Sequence, residues 1–204
     1  MVDCEPRVLR TVSRALPSVF REDSKHLINS HGSANNWAMG FQAASEDALE
    51  RVGDSIRKAA ERTDWWSTTV ITHSLAGGTG SGLGSRLAQE IRDEYPRQWL
   101  LACSVLPFAS GDSALQHYNA TLALAHLQQH ADMILLSANS SQVAALARVA
   151  APGPDATRAR VAPPSSMRDV NAHIAAGLAG VLFPLGIGSR PRACDVGELV
   201  ASVC

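Results

Sequence analysis

Apolar residues recur along this chain in two ways, at helical spacing in several long stretches and as short unbroken runs between them. Leu49, Val52, Ile56 and Ala59 repeat every three or four positions, with Glu50, Arg51, Asp54, Arg57 and Lys58 between them, which predicts an amphipathic helix with one core-facing stripe. Residues 65–72 (WWSTTVIT) are aromatic and β-branched, so a strand is expected there. Leu83, Leu87 and Ile91 then return at intervals of four until the pattern breaks near Pro96. The runs at 100–105 (LLACSV) and 133–137 (MILLS) predict two further strands. Between them residues 114–130 predict a helix with Leu115, Tyr118, Leu122 and Ala125 on one face.

The flanks are less regular. Residues 7–16 predict a short helix that stops before Pro17, because proline disfavours helical geometry at the residue before it. Residues 24–40 are rich in Asn, Ser, Gly and His, the composition of a loop whose side chains can bond ligands or their own backbone. Val143, Leu146 and Val149 suggest a short helix, residues 151–166 a Pro-, Ala- and Arg-rich mobile connection without a period, and residues 167–182 a very apolar helix buried along most of its length. Strand, helix, strand, helix, strand, helix demands crossover connections, so the fold expected is α/β, a largely parallel sheet flanked by helices.

Composition narrows the chemistry. Two hundred and four residues suffice for a real core; 46% are hydrophobic and 18% charged, and the net charge of −1 with no basic block gives no reason to expect a nucleic acid partner. No apolar run is long enough to span a bilayer, no secretory signal is visible at the start, and no membrane partner is expected. Cys4, Cys103, Cys194 and Cys204 lack the spacing of a zinc site or a disulfide scaffold, which fits a reducing, cytoplasmic setting.

The segment Ala76-Gly77-Gly78-Thr79-Gly80-Ser81-Gly82 follows the first long strand and opens a helix, the position at which parallel sheets bind ligands. Glycines permit positive φ and close backbone approach, so successive N–H groups can converge on an anion at the positive end of the helix dipole. A phosphate cradle is therefore expected, with Thr79 and Ser81 adding hydroxyl donors. It is not a P-loop, since Leu83 and not Lys follows Gly82; nor do its letters fit the dinucleotide fingerprint or the nucleophile elbow. His126 and His130, four apart, lack a third metal ligand and are expected to be surface histidines, and Trp65 and Trp66 are expected to cap the sheet.

These letters resemble the tubulin family. The run GGTGSG at 77–82 is similar to the tubulin signature loop, with Ala76 where most members have another glycine. Residues 2–6 (VDCEP) resemble its acidic second nucleotide loop, Ala34-Asn35-Asn36-Trp37-Ala38 its third, and Tyr118-Asn119 the segment after its ribose loop. Asn139 and Asn171 stand where tubulins place the two asparagines that read guanine, and Asp195 with Glu198 matches the DxxE that completes a neighbour's active site. Ala76, Trp37 and Gln116 look most like the delta-tubulin class. The resemblance covers the middle and end of a Rossmann-like GTPase domain, residues 1–182 as nucleotide-binding core and 183–204 as the loop and helix start that carry the acidic pair. The family's opening strand and first phosphate loop, and its second domain, are not among the residues matched, so the chain resembles a partial domain, incomplete at its N-terminus.

The resemblance implies GTP and Mg²⁺. The main chain of residues 77–82 and the helix start at Ser81 would bind the α- and β-phosphates and Asn35 the γ-phosphate. Asp3 and Glu5 would lie near the metal; without the resemblance they read as the solvated start of a helix. Asp112, with Gln116 second, would bind ribose, and Asn139 and Asn171 would read guanine, with Met167 replacing the usual stacking aromatic. Asp195 and Glu198 would polarise water on the next subunit's nucleotide, tying hydrolysis to head-to-tail assembly in a cytoskeletal structure such as a centriole or basal body. The alternative is a non-catalytic, tubulin-like structural protein that binds nucleotide weakly or not at all.

Overall fold

A computed structural model describes the chain except for residues 22, 23, 30, 112, 151–165, 184–195 and 204. Its elements run β1 (Val2–Asp3), α1 (Pro6–Ala15), β2 (His26–Leu27), α2 (Trp37–Phe41), α3 (Glu46–Ala60) and β3 (Thr68–Ser74). A π-helical turn (Thr79–Leu83) leads into α4 (Gly84–Glu94), followed by β4 (Trp99–Leu106), α5 (Gln116–His130), β5 (Met133–Ala138), α6 (Asn139–Ala150), α7 (Met167–Leu182) and α8 (Val196–Val203). The expected connection at 151–166 lies, but for Ser166, outside the described residues.

The α/β expectation holds. β3, β4 and β5 are neighbours in chain order with a helix in each connection, and β1 pairs β2 in parallel. The polar stretch at 24–40 conceals β2 and α2, both too short to leave a period in the sequence. The chain divides into two compact units, residues 1–104 with 111–135, and residues 105–110 with 136–204.

In the first unit, Leu100, Leu101, Ala102, Cys103 and Ser104 of β4 are all buried in succession, as in a strand covered on both faces. β3 begins later than its letters suggest: pairing with β4 starts at Ser67, whose carbonyl accepts the Trp99 N–H at 2.9 Å. Trp65 is left 85% exposed, and Trp66 instead meets Tyr95 edge-on with ring centroids 4.7 Å apart. Ser45 caps α3 by accepting from the Ala48 N–H, while Arg57 and Lys58 complement the dipole at its far end. Arg92 of α4 pairs with Asp132 and donates to the carbonyls of His130, Pro96 and Gln98. Asp132 also accepts the Leu100 N–H at 2.7 Å, so α4 is tied to the strand starts on either side of α5.

One helix turns the opposite way from its apolar letters, and another is less buried than its letters suggest. In α5 the buried face is Gln116, Asn119, Ala120, Ala123 and Leu127, whereas Leu115, Tyr118 and Leu122 are exposed. Small alanines let the helix approach its neighbours closely, and a buried amide is tolerated where every bond it needs is made. In the second unit α7 is not buried along its length. Only Val170 and Ile174 are enclosed, because its many Ala and Gly residues carry little apolar area to hide.

Candidate functional site

The glycine segment reaches its site without a left-handed residue. Gly32 is the only described glycine with positive φ, so residues 77–82 are helical or turning toward helix. What the glycines provide is close packing. A Cβ on Gly78 would come within 2.6 Å of the Asn36 carbonyl oxygen and of Ser33 Cβ. Cβ atoms on Gly80 and Gly82 would overlap the carbonyl oxygens of Ser74 and Trp37. Gly77 differs, since a Cβ there would meet only Asn35 Oδ1, at 3.5 Å.

Helical geometry begins at Gly78 and continues without a break through α4, starting earlier than the expected Ser81. The Ser81 N–H bonds the Gly77 carbonyl at 3.2 Å and the Ser81 hydroxyl donates to the same oxygen at 2.5 Å. Ser81 is wholly buried, so its hydroxyl closes the turn and is not presented outward. The N–H groups of Gly78, Thr79 and Gly80 come before this first intrahelical bond and stand at the positive end of the dipole. That is a donor set suited to an anion.

Against it lies a tight turn. Asn36 N–H bonds the Ser33 carbonyl at 2.9 Å, and the two central residues, Ala34 and Asn35, both have positive φ (48° and 52°), the signature of a type I′ turn. Asn tolerates that conformation; Ala does so at a cost. Asn36 then caps α2, its Oδ1 accepting from Ala38 N–H at 2.9 Å and Met39 N–H at 3.4 Å. The Ser33 and Thr79 hydroxyls are hydrogen-bonded at 2.8 Å, joining this asparagine turn to the glycine segment.

A buried amide missed by the sequence reading completes the join. Asn119 of α5, 2% exposed, donates to the carbonyls of Asn35 (2.8 Å) and Ala76 (2.9 Å) and accepts from the Trp37 N–H (2.9 Å). Its signal was present in the Tyr118-Asn119 pair, but a polar residue on a helix facing small side chains reads as solvent-exposed. From the sheet side, His73 Nδ1 donates to the Gly80 carbonyl at 2.6 Å, and its Nε2 lies 2.8 Å from the Ser104 hydroxyl. Burial lowers the His73 pKa, partly offset by the Gly80 carbonyl. With a carbonyl in place of a carboxylate orienter, and Ser104 buried, this pair is a strut and not a hydrolytic dyad.

The acidic residues divide. Asp3 lines a cavity of about 620 Å³ together with Ser74, Thr79 and Gly80, and its Oδ1 accepts the Glu5 N–H at 3.0 Å. Glu5 is exposed at the start of α1 and makes no side-chain cap bond. Asp3 can serve Mg²⁺ as a hard oxygen ligand, directly or through water, the few-carboxylate arrangement that this ion accepts. Among the described residues no cluster of three or more His, Cys, Asp or Glu could hold a metal by itself. The cavity also touches residues 69–74 consecutively and residues 1–3. A space against a strand's face meets alternate residues; one that meets six in a row lies along its edge.

Asp112 lies outside the described residues. Gln116 is 5% exposed, with its amide folded against Gly111 and Nε2 within 3.3 Å of His117 Nε2. In the second unit Asn139 opens α6 directly after β5, and its Oδ1 is sealed from solvent with no protein hydrogen-bond partner among the described residues. Asn171 is exposed on α7, and Met167 is half-exposed on the same helix. Asp195 is outside the described residues, whereas Glu198 is exposed in the first turn of α8, whose Val196 and Val200 are buried. His126 and His130 stack at 4.3 Å; His126 also meets Phe41 edge-on at 5.1 Å, so this pair belongs to a ring cluster and is not freely exposed.

Residues 1–146 match the Tubulin/FtsZ family, GTPase domain. The chain is 40% identical over 134 residues to a tubulin beta-1 chain of Suillus bovinus, covering 65% of this chain and 30% of that protein. It is 35% identical over 144 residues to a tubulin delta chain of Macaca fascicularis, covering 69% and 32%. A tubulin beta chain of Pleurotus sajor-caju is 40% identical over 134 residues, with 65% and 30% covered. The match thus spans about a third of the length of each relative. Beta and delta chains match with similar identity. No helix among the described residues is long and apolar enough to cross a membrane. With the asparagine turn packed on a helix-opening glycine segment and most of the chain matched, the protein belongs to the Tubulin/FtsZ family.

Proposed function

We propose that this chain binds GTP with Mg²⁺ as part of a cytoskeletal tubulin subunit that hydrolyses the nucleotide on head-to-tail assembly. One observation carries the reading: the Asn35 turn is packed on the helix-opening glycines, so an amide side chain and the free N–H groups of Gly78, Thr79 and Gly80 share one place. In this reading the N–H groups of Gly77, Gly78, Thr79 and Gly80 hold the α- and β-phosphates and Asn35 bonds the γ-phosphate. Ser81 and Gly82 shape the turn that aims those donors. Asp3, with Glu5 beyond it, serves the Mg²⁺, which would neutralise phosphate charge.

Asn139 and Asn171 are proposed to read guanine through their amides, with Asn139 bringing an acceptor that has no partner among the described residues. Asp112 and Gln116 are the proposed ribose ligands; Gln116 would have to leave Gly111 to act. Asp195 and Glu198 would polarise water on the neighbouring subunit's nucleotide, which makes the contact heterologous and filament-forming. Ala76, Trp37 and Gln116 favour the delta class, and with it a cytoplasmic centriole or basal-body setting.

A second reading, a structural protein that holds nucleotide weakly or not at all, is favoured by the open cavity along the β1 and β3 edges, since Asp3 sits on a different sheet from β3, the strand that leads into the glycine segment. Calorimetric titration of the purified chain with GTP, ATP and NAD separates the two. A preference for GTP supports the first; equal or absent binding of all three overturns it.

A further inference from the structure

We propose that Asn119 is the positioning residue of the phosphate site, a single amide that orients the peptide groups on both of its walls. The inference rests on the nucleotide reading given above. The asparagine turn and residues 75–77 lie outside the strands and helices, so no regular ladder fixes their separation. The Asn119 Nδ2 group spends its two hydrogens on the carbonyls of Asn35 and Ala76, one on each wall, while its Oδ1 takes the Trp37 N–H at the start of α2. Three bonds of 2.8–2.9 Å to one amide, on a residue 2% exposed, leave that side chain one orientation.

The consequence follows from the trans peptide, in which C=O and N–H point in opposite directions. No cis bond occurs among the described residues. With the Ala76 carbonyl held by α5, the Gly77 N–H is turned away from α5, adding a donor next to those of Gly78, Thr79 and Gly80. The same hold keeps the partial negative charges of the Ala76 and Asn35 carbonyls out of the space where phosphate charge would sit. Asn119 touches no ligand in this arrangement; it sets the direction of groups that do.

Asn119→Asp is the sharpest test, because a carboxylate has the same shape and still accepts from Trp37 but cannot donate to either carbonyl. In the folded variant we expect affinity for GTP to fall at least tenfold while affinity for guanosine, which has no phosphate, changes less than twofold. The Gly77 amide resonance of the ligand-free protein should move. A merely structural role would weaken GTP and guanosine by the same factor, and that result overturns the proposal, as does unchanged GTP affinity. Should Asn119→Asp not fold, Asn119→Thr retains one donor, and an intermediate loss confined to GTP is expected. If the unaltered protein binds no GTP, the nucleotide reading fails first; an unmoved Gly77 resonance in a folded variant then overturns the positioning claim on its own.

Discussion

His73 Nδ1 lies 2.6 Å from the carbonyl oxygen of Gly80, so a strand side chain holds the first turn of the glycine helix from beneath. A carbonyl only accepts, which places the proton on Nδ1 and leaves Nε2 to receive the Ser104 hydroxyl at 2.8 Å. Gly84 is glycine for the same contact: a Cβ there would lie 2.7 Å from His73 Nδ1.

This strut should make stability depend on pH. Burial lowers the His73 pKa below its ordinary value of 6.5 and likewise lowers that of His126, where His130 and Arg86 add to the effect of burial. When the folded-state pKa is depressed for a base, the unfolded chain binds more protons below about 6.5, so stability falls as pH drops through that value and levels off above it. Urea midpoints measured from pH 8 to pH 5 should decline on the acid side. His73→Asn, which keeps a donor toward Gly80, should flatten the decline; an unchanged slope would show that other groups control it.

The glycines of the segment should separate by function. Gly82→Ala drives a Cβ into the Trp37 carbonyl and should cost about 1–3 kcal/mol of stability or more, as overpacking does. Gly77→Ala has room, and with φ not positive it should leave stability unchanged or raise it by roughly 0.5 kcal/mol. Its methyl would nevertheless stand beside Asn35 Oδ1, where phosphate is proposed to lie, so GTP affinity should fall about tenfold, roughly 1.4 kcal/mol. Thermal melts and calorimetry on the two variants check this. Equal stability losses would mean that Gly77, too, is a packing glycine.

Much of this architecture is legible in the letters, and the failures have physical causes. β4 could be read from LLACSV because a strand buried on both faces needs an unbroken apolar run. The position of the glycine segment between β3 and a helix is legible in its letters, but its glycines answer to Asn36, Ser74 and Trp37 across the fold, contacts that no local pattern encodes. α5 misled in the other direction. Its apolar letters Leu115, Tyr118 and Leu122 face outward, and Tyr118 is 70% exposed, because Asn119 bonds three backbone groups from the face it shares with Ala120 and Ala123. Hydrophobic periodicity scores area and cannot see a satisfied amide.

Ala34 is a point of stored strain. At φ 48° its methyl group is crowded against its own backbone, and Asn35 at 52° shares the turn without that difficulty because Asn tolerates the left-handed region. Ala34→Gly should therefore stabilise the protein by about 1 kcal/mol, read as a rise in urea midpoint at constant slope. Ala34→Val should be worse than the parent by a larger margin. No gain from glycine would mean that the turn relaxes in solution to a conformation that alanine accepts.

The acidic pair carries the prediction that reaches beyond one chain. Glu198 stands exposed on the first turn of α8 while Val196 and Val200 anchor that helix inward, so its carboxylate can be removed with little effect on packing. Replacing Glu198 alone should leave stability within ~0.5 kcal/mol, the usual range for surface changes, and replacing it together with Asp195 should leave GTP affinity within about twofold. If the pair acts as base and orienter for water on a neighbour's nucleotide, turnover that rises with protein concentration should drop about a hundredfold, the scale of one lost acid–base contribution. Mixing the double variant with unaltered chains should restore part of that turnover, because an intact acidic pair on one chain can serve the variant's nucleotide on the next. Phosphate release followed against total concentration, alone and mixed, checks both statements. A rate per chain that never depends on concentration, or one untouched by the substitutions, would remove the pair from the chemistry and leave Glu198 a solvated residue at a helix start.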